Sequence, residues 1–205
     1  MKSTRTRTTV AVAAAIPLAC AGLAPHAFAD SARTDSPSPG SPSPSSSVTP
    51  FGPGCSSLPN KGDGSAVAMA REKVANAVAA NPKLSQLAAA LKKAGLDKTL
   101  NDAKKISVFA PTDEAFKKLS KSQLQSLMNN PGELKKILTY HVVDQEITRS
   151  ELPSGSFKTR EGSMLTTSGS GDMFKVDKTA NITCGDLKAA NATVFLVDQV
   201  LTPPK

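Results

Sequence analysis

The spacing of apolar positions changes once along this chain, near residue 143. Before that point they recur every three or four residues, the spacing of a helix face. Val67, Ala70, Val74, Ala77 and Val78 form one stripe, which ends at Asn81-Pro82. Leu84, Leu87, Ala88 and Leu91 form a second, stopped by Gly95. "LDKTLND" (96–102) predicts a short third helix or turn, and "ISVFAP" (106–111), β-rich and closed by proline, predicts a buried strand. After Val143 come short β-prone segments: "QEIT", "GSFKTR", "SMLTTS", "DMFKVD", "ANITC", "DLKAAN" and "ATVFLVDQVL". Ser168-Gly169-Ser170-Gly171 predicts a hairpin loop; it lacks the lysine and following helix of a phosphate-binding loop. "TVFLVDQVL" is apolar almost throughout, as expected of a strand buried on both faces. Helices first and strands later predict an α+β domain.

Helix starts are written into the polar positions. Thr112 stands as an N-cap after Pro111, which puts Asp113 and Glu114 in a first helical turn, where the dipole favours negative charge. Adjacent helical side chains diverge by about 100°, so these two carboxylates cannot flank one substrate atom. The pair is therefore expected to be structural. Ser120 with Gln123, and Asn130 with Glu133 after Pro131, predict two capping boxes. In the second of these helices Leu134, Ile137, Leu138 and His141 share one face. His141 is accordingly expected as a hydrogen-bonded core residue. A catalytic or metal-binding role would need a nucleophile or further ligands nearby, and the sequence offers neither.

The N-terminus adds a location. Lys2, Arg5 and Arg7 precede a short apolar run (10–24), and Ala27-Phe28-Ala29 offers small residues for cleavage, which predicts a signal peptide over 1–29. The run is shorter than the roughly 20 residues a membrane span needs, so no span is expected in the mature chain. Lipidation at Cys20 is the alternative, and Pro17 stands where a lipobox wants leucine. Residues 30–54 read as a Ser/Pro-rich flexible linker, and 55–205 as the folded domain. Loss of Cys20 with the leader leaves Cys55 and Cys184, which in an oxidising compartment most simply pair with each other. They have no Cys-x-x-Cys spacing or neighbouring histidines that would suggest redox or metal chemistry.

Charge changes the picture only slightly. Lys and Arg number 25 against 17 Asp and Glu, a formal charge of +8, and the excess is spread out in lysine pairs. With no Trp, one Tyr and no basic block, nucleic acid is not an expected partner. Lys92, Lys93, Lys117, Lys118, Lys135 and Lys136 form the candidate binding surface, with weak attraction for acidic polymers.

"SVFAPTDEAF" (107–116), "YHVV" (140–143) and "ATVFLVDQVLTP" (192–203), in that order and spacing, resemble a fasciclin-type domain running from about Gly64 to Pro203. With the leader, the linker and one cysteine on each side of the domain, the chain is similar to small secreted single-domain fasciclins of actinobacteria. The resemblance implies a twisted β-wedge with helices along one edge. It also implies an extracellular adhesion role without a shared catalytic site or cofactor. On this resemblance Thr112 and Asp113 fall at the strand-to-helix corner, and Tyr140 and His141 on a Tyr-His pair. Such positions are associated with folding and, in some animal members, with partner contact. There is no Arg-Gly-Asp, and nothing after "YHVV" matches the integrin-binding extensions of those members. "NIT" (181–183) and "NAT" (191–193) fit the N-glycosylation pattern, which in a bacterium is expected to carry nothing.

The resulting expectation is a monomeric, secreted, non-enzymatic binding module acting at the cell surface or in the matrix. Its partner would be a protein or an anionic polysaccharide. The alternatives are a carrier of a small apolar ligand between helices and sheet, and a hydrolase, for which the sequence shows no clustered acid, base and nucleophile.

Overall fold

The structure, a computed structural model, describes residues 49–204. The leader, Cys20 and most of the Ser/Pro tract lie outside the described residues.

The stripe over 67–78 is two helices rather than one, α1 (Ala66–Met69) and α2 (Val74–Ala80). Arg71, Glu72 and Lys73, all exposed, break the face between them. Met69 takes the buried position, while Val67 is 65% exposed. α3 (Ser85–Ala94) ends at Gly95, whose φ of 64° is left-handed and costs glycine no Cβ clash. α4 (Asp97–Asp102) leads into β1 (Ile106–Pro111), and α5 (Asp113–Lys117), α6 (Lys121–Asn129) and α7 (Pro131–Tyr140) follow. The Ser120–Gln123 capping box forms in full. At α7, Asn130 accepts from Glu133 N–H at 3.3 Å with Pro131 in the first turn.

The remaining strands are β2 (Val142–Val143), β3 (Ser156–Lys158), β4 (Met164–Ser170), β5 (Met173–Val176), β6 (Ala180–Lys188) and β7 (Ala192–Val197). "QEIT" forms no strand; Ile147 is instead anchored by its N–H, which donates to the buried Ser107 hydroxyl at 2.8 Å. Ser168, Gly169 and Ser170 continue β4, so the hairpin turn is at Gly171 and Asp172. "ANITC" and the "DLK" of "DLKAAN" merge into the single strand β6, while residues 189–191 lead into β7; the register shifts between Ile182 and Cys184 and between Cys184 and Leu187. Such bulges let one long strand bend where a straight one would leave its neighbour.

The seven strands run in the order β2-β1-β7-β6-β5-β4-β3. β1 and β7 pair in parallel, Val108 opposite Val194; the other pairings are antiparallel. The outer edges meet: Val143 bridges to Thr159, and Arg160 N–H donates to Val142 O at 2.7 Å. This near-closed wedge has two separate apolar cores. Ile106, Val108, Val194 and Leu196 pack with the helices, including Val78, Leu87 and Leu138. Phe109, Phe195 and Val197 point the other way, into the wedge, with Tyr140, Phe157 and Phe174. A strand between two cores has no solvent-facing side, hence the apolar run of β7, in which Thr193 is the one polar side chain. The architecture is the α+β wedge with helices.

A strap precedes the helices. Cys55 is disulfide-bonded to Cys184 in β6, 129 residues along the chain. Phe51 exchanges backbone hydrogen bonds with Gly185, at 3.2 and 2.8 Å, and its buried ring meets Phe174 edge-on. A Cβ at Gly185 would lie 2.3 Å from that ring, so only glycine lets the strap lie down here. Residues 51–54, the last of the segment read as linker, are therefore part of the folded body.

Candidate functional site

Asp113 lies at the corner where β1 turns into α5. Thr112 occupies the N-cap position but makes no side-chain cap bond; its N–H extends the sheet to Val197 O at 3.1 Å. Asp113 serves a different helix. Its carboxylate accepts from the Ser85 hydroxyl at 2.5 Å and from Gln86 N–H at 2.9 Å, capping α3, whose own N-cap residue, Leu84, has no side-chain acceptor. Glu114 is exposed beside it. Both Asp113 oxygens are engaged in holding α3 to α5, so Asp113 and Glu114 do not act as a pair.

Tyr140 and His141 end α7, and both are only 2% exposed. The Tyr140 hydroxyl donates to Asp177 Oδ2 at 2.7 Å, and Asp177 Oδ1 accepts from Thr166 N–H at 2.9 Å. Asp177 and Lys178 form the β5–β6 turn in left-handed conformation, φ 48° and 61°, so Tyr140 pins that turn from inside. Burial, then the Asp177 carboxylate, raises the phenol's pKa above its ordinary value. His141 Nδ1 lies 2.8 Å from Ile137 O, and Leu201 N–H donates to Nε2 at 3.0 Å. Because Nε2 accepts, the proton sits on Nδ1 and the ring is neutral. Burial lowers its pKa from 6.5 to about 4, against weaker opposing pulls from the Ile137 carbonyl and Asp177. The Tyr-His pair thus joins α7, the β5–β6 turn and the C-terminal segment from within.

The candidate lysines are all exposed. Lys92 and Lys93 are in the last turn of α3, Lys117 and Lys118 at the end of α5, and Lys135 and Lys136 on α7; α3 packs against both other helices. Lys118 is not free, because its ammonium lies 2.9 Å from Asp198.

Two features escaped the sequence reading. Asn191, seen there only as a glycosylation pattern, is a knot between three segments. Its Oδ1 accepts from Val74 N–H at 2.9 Å, and its Nδ2 donates to Leu100 O at 2.7 Å and Ala103 O at 2.8 Å. An asparagine one residue before a buried strand, in a turn, was the available signal. The second feature is a cleft of about 570 Å³ beside Asn191, lined by Lys73, Lys104, Lys105 and Lys188 together with Asp102 and Glu146. The Lys188 ammonium is held at 3.0 Å from Asp186, 3.1 Å from Glu146 and 3.0 Å from the Thr193 hydroxyl. Burial pulls its pKa down, but the two carboxylates outweigh that and hold it above the ordinary lysine value. Among the described residues, no group of three or more His, Cys, Asp or Glu could hold a metal ion.

Comparison with known proteins adds a lineage. A profile of the fasciclin domain matches residues 82–203. The immunogenic protein MPB70 of Mycobacterium bovis is 38% identical over 161 residues, covering 75% of this chain and 82% of that protein. The cell surface glycolipoprotein MPB83 of the same species is 39% identical over 148 residues, covering 70% and 66%. Among solved structures, a FAS1 domain pair from the insect cell adhesion molecule fasciclin I matches with a TM-score of 0.54 at 18% identity. It covers 65% of this chain and 52% of that one, a likeness of fold alone.

Proposed function

The chain belongs to the fasciclin domain family, and from that premise we propose that it is a secreted, non-enzymatic binding module working at the cell surface or in the surrounding matrix. One observation carries the reading: the polar groups of its motifs are engaged in internal bonds. Asp113 caps α3, Tyr140 pins the β5–β6 turn, and both nitrogens of His141 are bonded within the core. With those groups used inside the wedge, the outer surface is left to carry the specific contacts. The relative named as a cell surface glycolipoprotein and the fold neighbour named as a cell adhesion molecule support the same location and role. The partner is a protein or an anionic polysaccharide, and the exposed lysines of α3, α5 and α7 are the first candidates for contacting it.

The test is retention of envelope polysaccharides and extracellular proteins on the immobilised chain. The control carries Lys92, Lys93, Lys117, Lys118, Lys135 and Lys136 changed to Glu. A saturable partner held by the parent and lost by the control supports both module and face. Retention of nothing from either extract, or turnover on an ester, glycoside and peptide panel, overturns the reading.

A further inference from the structure

The cleft of about 570 Å³ is lined by none of Asp113, Tyr140 and His141, and its volume falls in the range of roughly 300–1,000 Å³ typical of small-ligand sites. Its walls come from separate parts of the chain: the start of α2, the link from α4 to β1, the loop after β2 and the β6–β7 turn. Asn191 ties the first two of these to the turn, and Ala190 N–H donates to Glu72 O at 2.8 Å, so the cavity is braced before any ligand arrives. Pre-bracing lowers the ordering cost of binding.

Its chemistry is mixed in a particular way. Four lysines face two carboxylates, so the cleft is cationic yet hostile to a densely charged polyanion. Lys188 is already balanced by Asp186 and Glu146, which leaves Lys73, Lys104 and Lys105 to meet an anion. Ala103, Ala189, Ala190 and Ala192 add small apolar side chains to the lining. Lys105 has φ 55°, a left-handed conformation that asparagine or glycine would adopt at less cost. A lysine in a strained conformation within the lining of a cleft points to a use for its charge there.

A sugar ring bearing one carboxylate matches every part of this lining. Its apolar face suits the alanines of the lining, its hydroxyls can donate to Glu146 and Asp102, and its carboxylate suits Lys104 and Lys105. Resting on the reading of the chain as a binding module, we infer that this cleft seats one ring of an acidic glycan of the uronic-acid type. Contact with an acidic polysaccharide then centres on this cleft, and the helix lysines stay the candidate face for a protein partner. Affinity for one ring is modest and grows along a polymer by repeated engagement.

The experiment follows amide shifts of the full ¹⁵N-labelled chain with α-1,4-linked trigalacturonate, its fully methyl-esterified form, and tripolyphosphate. The acid trimer should move amides at 73, 104–105 and 188–192 saturably, and the ester should bind at least about tenfold more weakly. A Lys104→Ala, Lys105→Asn double variant should weaken the acid trimer about tenfold. It should also keep or raise the melting temperature, because asparagine tolerates the left-handed backbone. Equal binding of acid and ester, tripolyphosphate binding as tightly as the acid trimer, or shifts confined to α3 and α7 would overturn the assignment. If a partner is retained from the extracts while the cleft amides stay still, the cleft falls and the module stands. If the acid trimer binds saturably in the cleft but nothing is retained from either extract, the cleft stands as a glycan site and the proposed role at the cell surface or in the matrix falls.

Discussion

Lowering the pH from 6.5 toward 4 should cost this domain about 3 kcal/mol through His141 alone. The ring is 2% exposed, and its Nε2 accepts the Leu201 N–H at 3.0 Å. Protonating it in the folded state removes that acceptor and places a cation in an apolar core. Folded, the imidazole therefore titrates at about 4; unfolded, it returns to its ordinary 6.5. Between those values the unfolded chain carries a proton that the folded chain does not, so stability falls as pH falls. At about 1.36 kcal/mol per pH unit the full window amounts to about 3 kcal/mol, or roughly 6 to 12 °C in melting temperature for a domain of this size. Urea unfolding of the parent and a His141→Gln variant at several pH values isolates this contribution. Titrating carboxylates act on both proteins, whereas the glutamine stays neutral. The variant should be less stable at pH 7, and the gap should narrow by about 3 kcal/mol by pH 4. Parallel curves, or an imidazole proton shift with its midpoint near 6.5, would refute the reasoning.

Asn191→Ala should cost about 2–4 kcal/mol in urea unfolding, because it leaves Val74 N–H and the Leu100 and Ala103 carbonyls without their partner. Asn191→Asp keeps the acceptor but sets a carboxylate oxygen against the two carbonyls, so it should cost at least as much; an alanine variant as stable as the parent would sink the account. Asp113→Ala should cost about 1–2 kcal/mol and speed hydrogen exchange in the first turn of α3 rather than of α5. Faster exchange confined to α5 would return Asp113 to the simple role of a first-turn acid.

Much of the local structure was legible because its causes are local. Gly95 stops α3, and Ser120 with Gln123 opens α6, through atoms only a few residues apart. The apolar run at 192–197 announced burial on both faces, and the helical period of 134–141 placed His141 inside. Where the reading slipped, a local signal was weak or absent. The single stripe over 67–78 ignored three consecutive charged residues, and the repeated β segments from 180 to 191 hid one bulged strand.

What the sequence by itself determined about this protein was the class of each element and the α+β order, since period and caps are written within a turn or two of chain. The tertiary structure alone decided which partners those elements take. Parallel pairing of β1 with β7, the meeting of the wedge's edges, and the cap that Asp113 lends to α3 join residues far apart in sequence. Asn191 reaches back 117 residues to Val74, and the cleft beside it takes lysines from three separate segments. No short-range pattern encodes such pairings, because their free energy appears only when both partners are held in place by the rest of the core.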